Sequence, residues 1–444
     1  DSGSVMVSCY GNIQLLKDRG LSMTTYNFDK ITNRKGTNCL KYDFAVERGK
    51  PADVLPLWVA DMDFPVSEEI SKSLHAAVEH GIYGYTQPKD AYYNAVMNWM
   101  ERNHNWKTER EWIVKTPGVV FALAAAVKAF TDPGDAILIQ NPVYYPFTNI
   151  IRDNNRKVVD NTLVYHPVTE RTVVPVTTDD ASEQQINNVG TVSPAYQIDF
   201  EDFERKIEQE HVKLFILCNP HNPVGRVWTV EELQKLGEIC LRHQVIVVSD
   251  EIHNDFVYPG YEHTVFANVD PRFAEFTLTC TAPSKTFNLA GLQISNIFIP
   301  NENLRKAFKT EIDKTGYDEP NALGVVACEA AYRAGEDWLD QLRAYLLKNL
   351  NFLRDFLQEK IPQIHLVEPE GTYLVWLDCS ELGITGKELD QFIVDKAGLW
   401  LDGGSMFGPS GAAFQRVNIA CPQATLELAL NKLKAAVEGH GNHL

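Results

Sequence analysis

A lysine set among small and polar residues, just after an apolar run, is the first place in this chain where chemistry could be done. Residues 279–293 read TCTAPSKTFNLAGLQ, and Lys285 follows a strand expected at 276–280. In water a loop lysine is only a solvated charge. Folded into an apolar pocket, its ammonium loses hydration, its pKa falls, and the neutral amine can form a Schiff base with an aldehyde. Other segments carry residues of matching capacity. Asp250 ends the apolar run of VIVVSDEIHNDF beside Glu251 and His253, and a buried carboxylate needs a partner. Asn219 and Asn222 precede prolines in KLFILCNPHNPVGR. An amide held so rigidly can donate to a ligand oxygen, although Asn-Pro is also ordinary turn chemistry. Tyr144 in AILIQNPVYYPF can stack on a planar ring or pack in a core. Arg416 lies in the apolar stretch AFQRVNIA. There its charge requires either an internal ion-pair partner or a ligand carboxylate. Finally, IVKTPGVVFALAAAVKAF places Gly118 and the amides of Val119 and Val120 at a helix N-terminus, which is an anion site or an ordinary cap.

These residues need a scaffold, and the sequence implies one. From about residue 113 to 299, short apolar runs (AILIQ, KVVDNTLV, KLFILC, VIVVSD) alternate with helical segments such as DFEDFERKIEQ and TVEELQKLGEICLRH. That rhythm predicts an α/β unit with a mainly parallel sheet sandwiched by helices, whose ligands gather beyond the carboxyl ends of the strands. Beyond QISNIFI the rhythm stops. A long helix over 336–360, a strand at TYLVWLD, a helix near 386–397, the strand AFQRVNIA and a final helix predict a smaller α+β unit. The expected division is a large domain over 61–315 and a small one over 316–444. A polar, turn-rich arm over 24–60 crosses the surface to join the small domain. Residues 1–23 read as an upstream extension or cloning remnant, and 176–195 as an exposed insertion.

With 44% hydrophobic and 23% charged residues among 444, the chain has an ordinary globular composition. A formal charge of -18 disfavours nucleic acid. No apolar run approaches a membrane span and the opening is not signal-like, so a cytoplasmic location without membrane contact is expected. The eight cysteines form no CxxC pair and are expected to be reduced and structural.

Taken in order, the glycine turn, the aromatic after a strand and Pro, the NPxNPxG turn, the strand-end Asp, the Ser-Lys loop and the late Arg resemble the fold-type I pyridoxal 5'-phosphate (PLP) enzymes of the aspartate aminotransferase superfamily. The resemblance spans about residues 27–440. It implies that Lys285 is the Schiff-base lysine, that Asp250 pairs with the pyridinium nitrogen, and that Asn222 contacts the phenolic oxygen. Tyr144 would stack on the ring, with Val119, Val120 and Ser284 on the phosphate. Tyr85, in HGIYGY, would reach the phosphate from a neighbouring subunit, which implies a homodimer with shared sites. Arg416 would clamp the substrate carboxylate, with Val59 and Ala60 on the substrate side. Many aminotransferases have Tyr three residues beyond the Asp and Arg eight beyond the Lys, where this chain has His253 and Gln293. With LPLWVADMDFPV, DEIHND, APSKTFNLAGLQ and RVNIACP, it is more similar to the MalY/PatB-type carbon–sulfur lyases, with His253 near the cofactor.

The resemblance implies α,β-elimination from cystathionine or another L-cysteine S-conjugate, giving a thiol, pyruvate and ammonia. Lys285 would be the base, and Lys285 or Tyr85 the proton donor to sulfur. Two rival readings share the cofactor site: an aminotransferase acting on a small L-amino acid, and a PLP-binding regulatory protein with a protein partner. No metal is expected.

Overall fold

The structure is a computed structural model that describes residues 24–167, 173–174, 191–192 and 194–441. Residues 1–23 and most of the insertion expected at 176–195 lie outside the described residues.

The main sheet is built from β1 Ile113–Thr116, β2 Ala136–Ile139, β3 Lys157–Asp160, β4 Leu214–Cys218, β5 Ile246–Asp250, β6 Thr277–Thr281 and β7 Ser295–Phe298. Their spatial order is β1-β7-β6-β5-β4-β2-β3. Neighbours run parallel except β7, which is antiparallel to both β6 and β1. The central strands β2 and β4 are apolar and buried along their length because both faces are covered, and alternate residues go to opposite cores. Phe215 and Leu217 join Leu233, Leu236 and Ile239 of the helix Val230–Arg242. Leu214, Ile216 and Cys218 join Ala122, Leu123 and Ala126 of the helix Val119–Phe130. A one-residue slip would exchange these sets, so two-sided burial fixes the register and with it the strand ends. Local signals set the helix limits. Ser67 caps Glu68–His80 by accepting from the Ile70 amide, and Thr229 with Glu232 forms a reciprocal capping box.

A second sheet, order β8-β9-β11-β10, contains β8 His365–Val367, β9 Leu374–Asp378, β10 Asp402–Gly403 and β11 Phe414–Asn418, all antiparallel. The helix Glu336–Lys360 buries Leu339, Leu342, Leu346, Leu350, Leu353 and Leu357 against the sheet, a stripe at helical spacing. In β11, Arg416 stands opposite Trp376 on one side and Asp402 on the other.

The arm does more than cross the surface, which corrects the sequence expectation. Leu55–Pro56 pairs in parallel with Leu399–Trp400, and Trp58 stacks on Trp400 with centroids 4.4 Å apart. Phe28 enters the largest core. Lys41 is fully buried, its Nζ 3.1 Å from Asp63 Oδ1. Arg34 donates to both Asp61 and Asp63, and the Tyr42 hydroxyl donates to Asp63 Oδ2 at 2.9 Å. Polar composition suggested exposure because a charged residue looks the same in sequence whether water or a distant carboxylate solvates it. The seven described cysteines are all free, and among the described residues no helix is long and apolar enough to cross a membrane.

Candidate active site

The short helix Pro283–Thr286 follows β6 and carries Lys285. It is anchored from below: Thr286 Oγ1 donates to Asp255 Oδ2 at 2.6 Å, while His104 Nε2 (2.9 Å) and Trp99 Nε1 (3.1 Å) meet Asp255 Oδ1. Burial opposes the Asp255 charge, but the His104 hydrogen bond and charge, with Arg343 and Thr286, hold its carboxyl below the usual range. Lys285 Nζ donates to the Ala60 carbonyl at 2.8 Å. Burial first, and then the Arg416 guanidinium, push the Lys285 amine down to about 8 against the pull of Asp61 and Asp250. A substantial fraction of this amine is therefore neutral near physiological pH.

Asp250, at the carboxyl end of β5, is buried and accepts from the Ile252 amide at 3.2 Å. Burial pushes its carboxyl up to about 7, opposed by that amide and by Lys285, with Glu251 adding to the rise. Glu251 turns away. It accepts from Ser249 Oγ (2.7 Å) and the Phe266 amide (3.0 Å) and pairs with His263 at 2.9 Å, which is a structural role. His253 is buried with no partner for Nδ1. Burial, then Lys285 and Arg416, push its pKa well down, so its ring is neutral. Burial, and then Tyr145, raise the Tyr144 phenol, and the Tyr144 amide donates to the Asn222 carbonyl at 3.0 Å, which ties it to the Asn-Pro turn.

Arg416 has the internal ion-pair partner that the sequence allowed for, within a larger set of contacts. Its Nη2 binds Asp402 and the Trp58 carbonyl (2.9 Å), and its Nη1 donates to Asn222 Oδ1 at 3.2 Å. The guanidinium carbon sits 4.9 Å from the Phe407 ring centroid. Nε is buried without a partner, so the ion pair with Asp402 does not use all of its donors.

The element that joins these residues is the bend-rich loop 58–64, whose carbonyls are taken by side chains around the site. Trp58 O accepts from Arg416, Val59 O and Asp61 O from Asn418 Nδ2 (2.6 Å each), and Ala60 O from Lys285 and from the Tyr373 hydroxyl (3.0 Å). Asn288 Nδ2 serves Met62 O and Phe64 O. On the far side Arg34 and Lys41 grip Asp61 and Asp63. Tyr373, Asn418, Asn288, Asp402 and Asp255 were not singled out from the sequence. The only available signal was position: Asn418 two residues after Arg416, Asn288 three after Lys285, and Asp255 closing DEIHND.

Lys285, Asp250, His253, Tyr144, Asn222, Arg416 and Ala60 thus converge, and the Val59 carbonyl is held by Asn418 beside them. Gly118 caps the helix Val119–Phe130 with open space where a Cβ would stand, so the Val119 and Val120 amides begin that helix behind an uncrowded turn. Ser284 is half-buried beside Lys285. Gln293 is exposed. Tyr85 stands apart: it is 95% exposed, next to exposed Ile82 and Tyr83.

Comparison with known proteins places this geometry. A model described as "Aminotransferase class I and II" matches residues 52–433. Cystathionine beta-lyase PatB of Bacillus subtilis (strain 168) is 44% identical over 411 residues, covering 93% of this chain and 100% of that protein. The crystal structure of cystalysin from Treponema denticola, described as containing a pyridoxal 5'-phosphate cofactor, superposes with a TM-score of 0.85 at 36% identity over 94% of this chain and 100% of that one. The PLP-bound C-S lyase from Staphylococcus hominis gives 0.82 at 34% identity over 93% and 98%.

Proposed function

The chain belongs to the aminotransferase class I and II family, and from that membership and the site's geometry we propose that it is a PLP-dependent carbon–sulfur β-lyase acting on cystathionine or a related L-cysteine S-conjugate. The site's chemistry fits that cofactor. It has a pressed-down amine at Lys285 for an aldehyde, a buried carboxyl at Asp250 with a single amide partner for a ring nitrogen, and an open glycine turn before a helix N-terminus for a phosphate. The residues that would hold it are Lys285, Asp250, Asn222, Tyr144, His253, Ser284, Val119 and Val120. Bound there, PLP supplies an electron sink for the bond cleavage at the substrate's α-carbon.

The chain's own residues supply the rest. Asp250, already ready to share a proton near neutrality, would stay ionised against a cationic ring nitrogen and keep that nitrogen protonated. Lys285 Nζ, released by the substrate's amine, would take the α-proton, since an amine titrating at about 8 matches a base working near pH 7–8. Arg416 would orient the substrate through its carboxylate. Asp402 already compensates its burial, and the unpartnered Nε offers a further donor. Neutral His253 would add no positive charge beside Lys285. Protonated Lys285 or Tyr85 would deliver the proton to the departing sulfur.

Tyr85 can serve only if another copy brings it in, and its exposure beside Val78, Ile82 and Tyr83 supports a homodimer with shared sites. A soluble cytoplasmic enzyme with a small-molecule substrate is the matching setting. The observation that carries the choice of lyase over aminotransferase is the 44% identity, over 93% of this chain, with the B. subtilis cystathionine β-lyase. The test is product analysis with L-cystathionine. The expected result is pyruvate and a thiol in equal amounts without added 2-oxo acid, lost in Lys285→Ala. Turnover that requires a 2-oxo acid and yields no pyruvate would overturn the reading in favour of transamination.

A further inference from the structure

The Ala60 carbonyl has two donors, and one of them belongs to a group that must react. Lys285 Nζ donates to it at 2.8 Å and the Tyr373 hydroxyl at 3.0 Å. A carbonyl oxygen has two lone pairs and can satisfy both. We propose that Tyr373 is a positioning residue that keeps the half-buried Ala60 carbonyl hydrogen-bonded whenever the Lys285 amine leaves it, so that Lys285 can join and release the cofactor without leaving that acceptor unpaired. The inference rests on Lys285 being the cofactor lysine.

The reasoning is chemical. When an amine condenses with an aldehyde, a C=N bond forms, the aldehyde oxygen leaves as water, and the nitrogen keeps one hydrogen at most. An ammonium with three donors becomes a group with one or none. Whatever the linked geometry, the bond from Lys285 to Ala60 O is lost or must compete. A carbonyl partly withdrawn from water and left without a donor costs stability in proportion to its burial, and neighbouring carbonyls avoid this through donors that take no part in condensation: Arg416 on Trp58 O, Asn418 on Val59 O and Asp61 O, Asn288 on Met62 O. Ala60 alone in this stretch relies partly on the reacting group.

Tyr373 is built to stay. It is fully buried, with its ring edge-to-face against Phe256 (4.9 Å, 86°) and His253 (6.0 Å, 75°). Burial, and then Asp61, keep its phenol protonated well above its ordinary range, with only Arg416 opposing, so it remains a donor across the working pH. The charged and titratable groups facing Lys285 are Arg416, Asp61, Asp250 and His253, and none of them donates to Ala60 O among the described residues.

The experiment compares holoenzymes of wild type, Tyr373→Phe and Tyr258→Phe. Phe keeps the ring contacts of residue 373 and removes only the hydroxyl. Tyr258 is a half-buried tyrosine whose hydroxyl oxygen is buried and has no partner, so its deletion controls for loss of a buried hydroxyl as such. The dissociation constant for PLP and the fraction of bound PLP linked to Lys285 (trapped by borohydride and read by mass spectrometry) are measured at one pH. In Tyr373→Phe the dissociation constant is expected to rise about tenfold and the linked fraction to fall, with Tyr258→Phe at wild-type values. Wild-type retention in Tyr373→Phe, or an equal loss in Tyr258→Phe, would overturn the proposal. A second readout needs no turnover. With PLP removed, Tyr373→Phe is expected to lower the urea midpoint more in a Lys285→Met background than with Lys285 present, because Lys285 is then not there to cover the carbonyl. Additive losses would refute it. If wild type links no PLP to Lys285, the functional reading itself fails, an outcome distinct from a failure of Tyr373 alone.

Discussion

Replacing Lys41 with Met tests whether the N-terminal arm belongs to the framework of the site. Lys41 is fully buried, with its ammonium 3.1 Å from Asp63 Oδ1 and 3.8 Å from Asp61 Oδ1. Met fills most of the volume of the lysine stem, so the substitution removes a charge and a hydrogen bond while leaving little cavity. Cutting one partner from an isolated buried ion pair costs roughly 3–5 kcal/mol. Asp63 is not isolated, because Oδ1 also accepts from Arg34 Nη1 at 2.8 Å and Oδ2 from Tyr42 at 2.9 Å. The expected loss is that of one hydrogen bond to a charged group, about 2–3 kcal/mol. Urea denaturation of the holoenzyme should show a lower midpoint at unchanged slope. Turnover should fall as well, since the residues Lys41 holds flank Ala60, the acceptor of Lys285. A loss under about 0.5 kcal/mol, the range of an ordinary surface substitution, would refute the idea that this buried pair fixes the segment.

Two further perturbations probe the site from its cofactor and turn sides. Asp250 has a folded pKa of about 7 against an ordinary 3.8, so its contribution to stability is fully present below 3.8 and is lost as pH rises through about 7. Asp250→Asn removes that penalty. With PLP removed, the variant should be more stable than wild type at pH 8, by at most about 4 kcal/mol, with the gap closing toward pH 4, while turnover of the PLP-loaded variant collapses. A variant no more stable than wild type at pH 8 would mean that Asp250 is not strained by burial. Gly225 ends the turn that presents Asn222 and has φ +75°, and an added Cβ would meet Pro369 Cβ at 2.8 Å. Gly225→Ala should therefore cost more than about 1 kcal/mol and weaken PLP retention, read by thermal unfolding and by absorbance of the bound cofactor. Unchanged values would show that the turn can relax.

Much of the fold was legible in the chain because its signals are local. Central strands covered on both faces are largely apolar, so AILI, LFILC and the start of IVVSD announced themselves. Ser67 and the Thr229/Glu232 pair are cap residues that stand in the sequence directly at the helix starts the structure shows. What stayed hidden was nonlocal. Glu251 and Asp250 are adjacent acids, yet one turns to His263 and the other to the site, a distinction set by which side of the strand end each faces. The arm looked like a solvated crossing because hydropathy cannot register that Lys41 and Asp63 find each other across a core.

By itself, then, the sequence determined the inventory: an amine, a carboxyl, an amide, an aromatic, a guanidinium and a helix start, in an order that resembles one family, on an alternating α/β scaffold. Only the tertiary structure decided their states. Burial shared with Arg416 brings the Lys285 amine to about 8, and burial with one amide partner brings Asp250 to about 7. The same packing commits part of Arg416 to Asp402 and sets Tyr373 beside Lys285 on a single carbonyl oxygen. Residue type fixes which protons and lone pairs exist. Their energies depend on solvent exclusion and on neighbours hundreds of residues away, and these exist only once the chain has folded.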